Sequence, residues 1–170
     1  MMDMGKYSIA ASGYEWFSLL LLLGITAFAA AVGAIASVNA PDFYTMLAKP
    51  AWAPSPRVFG PIWTVLYLLM AVAAWLVWLR GRLGAAKVPL MLYLAQLALN
   101  ALWTWLFFRW RLGGWAFIEI IVLWFILLLT LVSFWRVRAM AGILLVPYLL
   151  WVAFAAALMA KIWRLNQGIL

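Results

Sequence analysis

Five stretches of this chain are apolar for long enough to cross a bilayer, and nothing else in the sequence limits its fold so tightly. They lie at about residues 16–38, 60–79, 88–108, 114–135 and 141–163. A hydrocarbon core about 30 Å thick takes about 20 residues of helix, so five spans account for most of the 170 residues. Within hydrocarbon only helices and closed barrels satisfy their own backbone. Barrel strands would alternate apolar and polar positions over about ten residues, whereas Leu19 to Leu23 and Ile120 to Leu129 are apolar without alternation. The expected fold is an all-α integral membrane protein, a bundle of five transmembrane helices forming one domain over 1–170. A composition that is 71% hydrophobic and 9% charged excludes water as the solvent for most of the chain.

Cysteine and histidine are both absent. That removes disulfides, thiol nucleophiles, the usual zinc sites and histidine-ligated haem, so no metal site and no resident cofactor are expected. Lys and Arg exceed Asp and Glu by 8, but the cations flank apolar segments instead of forming a patch, which points to lipid headgroups and away from nucleic acid. The first apolar run is too long for the h-region of a cleaved signal peptide, the competing interpretation of Leu19 to Leu23 followed by Ala34-Ile35-Ala36. Five spans put the termini on opposite faces. Lys6, Arg80, Arg82, Lys87, Arg136 and Arg138 then stand on one side against Lys49, Arg57, Arg109, Arg111, Lys161 and Arg164 on the other, six against six, and the positive-inside rule gives no orientation.

The connector 39–59 is the longest and holds Pro41, Pro50, Pro54 and Pro56 with Lys49, Trp52 and Arg57. It is either an interfacial loop with a Trp at headgroup depth or a lid over a cavity between helices. Pro61 is expected in the first turn of the second span, where its missing N–H costs nothing. Three stripes recur at helical spacing: Trp63, Tyr67 and Met70 in the second span; Gln96, Asn100, Trp103 and Phe107 in the third; Pro147, Trp151, Phe154 and Leu158 in the fifth, with Tyr148 beside them. Amides in hydrocarbon should point inward. The stripes either line one cavity or pack ordinarily, with Asn100 as a polar bridge between helices. Glu119, the one acid inside a span, is a functional suspect placed where it could also reach headgroups or a basic neighbour; no second carboxylate supports an acid/base pair. Ala29, Gly33 and Ser37 form a small-residue ridge for close helix contact, within a subunit or between two.

Several of these segments resemble one known family. Lys49-Pro50-Ala51-Trp52-Ala53-Pro54 with Val58-Phe59-Gly60-Pro61-Ile62-Trp63-Thr64-Val65-Leu66-Tyr67, then Gln96-Leu97-Ala98-Leu99-Asn100-Ala101-Leu102-Trp103 with Phe107-Phe108, and Pro147-Tyr148-Leu149-Leu150-Trp151-Val152-Ala153-Phe154-Ala155 are similar in order and spacing to the loop, third-helix and fifth-helix motifs of the translocator proteins, also called tryptophan-rich sensory proteins. The resemblance implies a five-helix membrane protein, commonly a homodimer, that binds tetrapyrroles such as protoporphyrin IX, and isoquinoline carboxamides, in a pocket beneath the first loop. Some bacterial relatives degrade protoporphyrin in light using pocket Trp residues, which by motif position are Trp63 and Trp151; Tyr67, Asn100 and Trp103 carry over as pocket residues and Trp52 as part of the lid. The implied location is a bacterial cell membrane.

The chain departs from the family at Leu158-Met159, where Leu-Asn is usual, at Pro54-Ser55-Pro56-Arg57, where Pro-Pro precedes an aromatic residue, and at Ala160-Lys161-Ile162-Trp163-Arg164, which lacks the Tyr of the sterol motif. Tetrapyrrole chemistry suits the residues. A flat apolar macrocycle with propionates wants aromatic walls, which Trp63, Trp103 and Trp151 supply, and cations at the water boundary, which Lys49 and Arg57 supply. Gln96, Phe107, Pro147 and Phe154 complete the expected ligand set. A transporter of porphyrin or another small amphiphile, and a sensory adaptor acting through a separate partner, are the alternatives to a binding protein.

Overall fold

A backbone surrounded by hydrocarbon must close its hydrogen bonds locally, and this chain does so almost throughout. The computed structural model describes the backbone of residues 4–170 and the side chains of residues 13–80 and 84–170. Asp3 and the side chains of Lys6 and Arg82, counted in the charge balance above, lie outside the described residues. The elements are α1 (Met4–Ala36), α2 (Ala40–Met46), α3 (Pro56–Ala85), α4 (Lys87–Thr104), a π-helical turn (Trp105–Arg109), α5 (Gly113–Val137) and α6 (Ala139–Leu165). Five helices are long and apolar enough to cross a membrane: Gly13–Ala36, Pro56–Arg80, Lys87–Arg109, Gly113–Val137 and Ala139–Leu165. The protein is an integral, multi-pass, helical membrane protein.

Side-chain pairs fix the directions of the helices. Tyr67 meets Asn100 and Met70 meets Gln96, so α3 and α4 are antiparallel. Gly114 meets Trp163 and Gly142 meets Trp135, so α5 and α6 are as well. One end of the bundle, here the upper end, carries the segment between α1 and α3, the turn 110–112 and the C-terminal tail; the lower end carries the single-residue connectors Ala86 and Arg138. Tight connection at Arg138 depends on Gly142, where a Cβ would stand 2.8 Å from that of Trp135.

Besides α1, which begins at Met4 and not near residue 16, the elements differ from the sequence expectation in four places. The second span begins at Pro56, after the extended Ser55, because Pro56 already has the fixed φ of a first-turn residue; Pro61 therefore lies inside α3, where it removes a bond to the carbonyl of Arg57. The same helix runs past Arg80 to Ala85, since leaving the apolar layer ends a span without ending a helix. The presumed loop contains α2, with Pro41 in its first turn. The third span ends in a wide turn in which Trp110 N–H donates to the Trp105 carbonyl at 2.9 Å, and Arg111 at φ 55 then reverses the chain.

Packing is inverted relative to a protein in water. Leu20, Phe28, Val65, Trp115, Phe125 and Leu150 are more than half exposed on the outer surface, as lipid-facing residues are. The lower and middle interior is filled by Met70, Ala71, Ala74, Val77, Tyr93, Leu127, Phe134, Leu145 and Tyr148, all with no exposed surface. A smaller cluster at the upper end joins Phe43, Tyr44 and Leu47 to Phe107, Ala116, Leu158 and Ile162. The buried Thr26 hydroxyl pairs with that of Tyr93, tying α1 to α4. The small-residue ridge of α1 is used within the chain, since a Cβ on Gly33 would lie 3.2 Å from Oγ1 of Thr104.

Candidate functional site

The upper half of the bundle is not filled. There α1 offers only Ala30, Gly33 and Ala34 toward the interior, while α3, α4 and α6 offer large rings, and a cavity of about 620 Å³ remains between them. Trp63 from α3, Trp103 from α4 and Trp151 from α6 stand in its walls with Phe107 and Phe108 of the π turn. The walls are braced ring on ring. Trp63 lies 5.6 Å from Tyr67 and 5.9 Å from Tyr148, Trp103 stacks on Phe107 at 5.4 Å, and Trp151 packs against Phe59 at 5.9 Å and Phe154 at 5.4 Å. Such pairs hold flat faces in fixed orientation.

The floor is polar at one point. Tyr67 donates its hydroxyl hydrogen to Oδ1 of Asn100 at 2.6 Å, and Nδ2 of Asn100 donates to the Tyr148 hydroxyl at 2.8 Å. One amide thus joins α3, α4 and α6, as a polar group in hydrocarbon is expected to do, and Tyr67 and Asn100 also line the cavity. Both sequence alternatives for Asn100 hold together: it bridges helices and it faces the cavity.

The roof is the segment 37–55 with the start of α3. Pro41, Tyr44, Pro56, Arg57 and Phe59 line the cavity from above, and Arg57 is the sole charged residue among the described lining residues. Contacts made by four residues, Tyr44, Phe43, Lys49 and Asn166, hold this lid. The Tyr44 hydroxyl donates to the Pro54 carbonyl at 3.1 Å; burial pushes this phenol above its ordinary value, which keeps it a donor. Phe43 sits edge-on to Phe107 at 5.8 Å with the Arg111 guanidinium 4.9 Å over its ring. Nζ of Lys49 donates to the carbonyls of Tyr44 and Leu47, each at 2.7 Å, closing the C-terminal end of α2. Asn166, just beyond α6, accepts from the Ala48 N–H at 2.9 Å and donates to the Ala48 carbonyl at 2.9 Å and the Ile162 carbonyl at 2.7 Å.

Of the expected ligand residues, Arg57, Trp63, Tyr67, Asn100, Trp103, Phe107 and Trp151 are brought together around the cavity. Five are placed elsewhere. Lys49 is engaged with lid carbonyls. Trp52 is 52% exposed and reaches the site only through Phe154, which it meets edge-on at 5.8 Å. Phe154 itself backs Trp151. Gln96 is fully buried a turn below, with Nε2 on the Met70 sulfur at 3.5 Å and Oε1 unpartnered. Pro147 is on the outer surface, because the inward face of α6 is Leu145, Tyr148, Val152 and Met159. Glu119 reaches neither headgroups nor a basic residue: it is 7% exposed and both carboxyl oxygens lack partners.

Tyr148, named in the sequence beside a stripe, stood outside the expected ligand set, and Asn166 was not singled out, yet the first anchors Asn100 and the second holds the lid. Tyr148 had a signal, a hydroxyl one position from a stripe in a span with no other polar group at that depth; a lone Asn following the last basic residue of the last span gave none. Leu158 and Met159, at the position of the family's usual Leu-Asn, both line the cavity, so this part of the wall is apolar.

The sequence that builds this site is similar to those of known proteins. Residues 18–164 match the TspO/MBR family. The chain is 42% identical over 128 residues to the translocator protein of Sus scrofa, covering 74% of this chain and 76% of the relative. It is 40% identical to protein CrtK of Rhodobacter capsulatus, covering 84% and 88%, and 40% identical to the tryptophan-rich sensory protein of Cereibacter sphaeroides, covering 89% and 93%.

Proposed function

This chain belongs to the TspO/MBR family, and we propose that it is a tetrapyrrole-binding protein of a bacterial cell membrane, taking protoporphyrin IX or a similar flat amphiphile, and isoquinoline carboxamide-type ligands, in the upper cavity. The supporting observation is the match between the cavity and the ligand class. About 620 Å³ lies within the range for a small-molecule site; three indole faces suit a macrocycle, the Arg57 guanidinium at the rim suits a propionate, and the Asn100 amide supplies a hydrogen-bonding group at the floor. In this reading the ligand enters beneath the lid with its carboxylates toward the headgroup layer and its apolar edge toward Ile120 and Leu123.

The role that fits is sensing, handling or light-dependent breakdown of the pigment. For breakdown, Trp63 and Trp151 are the electron donors to an excited ligand, and the pigment itself absorbs the light. Binding is favoured over transport because the bundle beneath the cavity is packed with Met70, Tyr93, Leu145 and Tyr148, none with any exposed surface. A homodimer, the assembly the resemblance implies, forms on an outer face, since Gly33 is already occupied by Thr104.

The test is titration of the detergent-solubilised protein with protoporphyrin IX, following intrinsic Trp fluorescence in the dark and then under illumination. Saturable quenching that isoquinoline carboxamides compete away supports the reading; linear, non-competable quenching refutes it.

A further inference from the structure

At the opposite end of the molecule a second concavity lies on the lipid-facing side, between the start of α4 and the end of α5. It encloses about 410 Å³ and is lined by Ala85, Pro89, Leu92, Leu129, Val132, Ser133, Arg136 and Val137. Its long axis is apolar: Leu129 is 54% and Val132 39% exposed, with Leu92 facing them across the trough. Its mouth is basic. Arg136 lies in the last turn of α5 and is the charged residue among the described lining residues. The positive end of the α4 dipole points the same way. The acid nearest in sequence on either flanking helix is Glu119, which is 17 residues before Arg136, about 25 Å along the helix, and buried.

We propose that this groove is a binding site for one anionic phospholipid, with an acyl chain along Leu92, Leu129 and Val132 and the phosphate held by Arg136 at the mouth. Two features choose this occupant. The groove runs from hydrocarbon depth to the membrane boundary, as a lipid does, and the charged residue among its described lining residues, Arg136, stands at the boundary end, which complements a headgroup and not a second copy of the same surface. Arginine suits phosphate because its planar fork binds two oxygens at once.

The test is native mass spectrometry of the full chain released from detergent, with palmitoyl-oleoyl phosphatidylglycerol, palmitoyl-oleoyl phosphatidylcholine and inorganic phosphate as probes. One phosphatidylglycerol should be retained in preference to phosphatidylcholine. Arg136→Ala should weaken that retention about tenfold, and Arg136→Lys should restore part of it. Arg109→Ala, at the other end of the molecule, should change nothing. Val132→Trp leaves the charges in place and fills the trough, so it should expel the lipid while the helical circular dichroism is unchanged. Equal retention in Arg136→Ala and the parent would overturn the proposal. So would displacement of the lipid by inorganic phosphate, which would make this a free-anion site, or a change in oligomer mass in Val132→Trp without loss of lipid, which would make it a face between copies. Porphyrin binding in the upper cavity plays no part in any of these outcomes.

Discussion

Asn166 ties the lid to the end of α6 through two hydrogen bonds, and replacing that residue should show as opening. The Asn166 amide makes three hydrogen bonds: two with the backbone of Ala48, at 2.9 Å each, and one with the Ile162 carbonyl at 2.7 Å. In Asn166→Ala the bond to the Ile162 carbonyl, which lies outside the lid, is lost in the open and closed states alike, so the loss to the closed lid is the pair on Ala48. At about 1 kcal/mol net for each bond, the closed state loses about 2 kcal/mol relative to the open one, about a 30-fold rise in the opening equilibrium. Phe43 on Phe107 and Tyr44 on Pro54 remain, so the lid opens more often without unfolding. Hydrogen exchange in detergent micelles measures this directly: amides from about 44 to 49 should exchange about 30-fold faster, and amides of the lower bundle should not change. Asn166→Asp should do at least as much damage, because it keeps the acceptor for the Ala48 N–H but sets a carboxylate oxygen against two carbonyls. Thr45→Ala removes only a local, exposed bond to the Asp42 carbonyl and should leave exchange near the parent value. Unchanged exchange at Ala48 in Asn166→Ala, or the same acceleration throughout the bundle, would refute the clamp.

Trp63→Phe and Trp151→Phe should keep the helical content, because an aromatic ring conserves most of the buried area, yet reduce fluorescence quenching by protoporphyrin IX and slow its loss in light; equal effects from Trp135→Phe, outside the cavity, would show nonspecific partitioning. Asn100→Leu leaves the fully buried Tyr148 hydroxyl without its partner and should lower stability by about 2 kcal/mol, seen as a lower Tm in detergent, while weakening ligands with a polar edge. Arg57→Gln should cost about tenfold in affinity for protoporphyrin IX and nothing for its dimethyl ester; an equal loss for both would remove the propionate contact. Gly142→Ala, whose Cβ would meet Trp135 Cβ at 2.8 Å, should destabilise the α5–α6 hairpin by about 1–3 kcal/mol, and an unchanged Tm would show that Arg138 can adjust.

The five spans were legible because lipid imposes a length and a composition on each, and the resemblance was legible because motifs in three separate segments agree in order. Helix ends were less so. Charge marks where a span leaves hydrocarbon, so Arg80 ended the second span in the sequence; helix geometry carries on to Ala85 because Arg and Leu are good helix formers in water too. Proline misled at one position. Pro61 looked like a helix start and is an interior residue, while Pro41 and Pro56 occupy first turns, of α2 and α3. Each is sterically permitted at a first turn, and only the tertiary position of the lid decides which proline takes that role.

The site itself was half legible, and the reason is depth. A stripe at helical spacing identifies which face of a helix points inward, and for α3 and α4 the faces were right: Trp63 with Tyr67, and Asn100 with Trp103, meet in the cavity. A face runs the whole length of a span, however, and the cavity occupies only its upper half. Gln96 and Asn100 share a face one turn apart, yet the first lies against Met70 in the packed layer and the second at the floor of open space. What separates them is the size of the residues opposite. Beside Asn100 and above it, α1 presents Ala30, Gly33 and Ala34, too small to reach the centre, whereas at the level of Tyr93 it presents Thr26, which pairs with that hydroxyl and closes the gap. The cavity is therefore written largely in α1, the helix without a functional motif, and its small residues act by leaving room and not by contact. Enlarging Ala34, which lines the cavity but is otherwise exposed, should reduce ligand affinity while sparing the fold. Gly33→Leu should instead lower stability through Thr104. A loss of stability in Ala34→Phe equal to that of Gly33→Leu would mean that the room beside α1 is already filled.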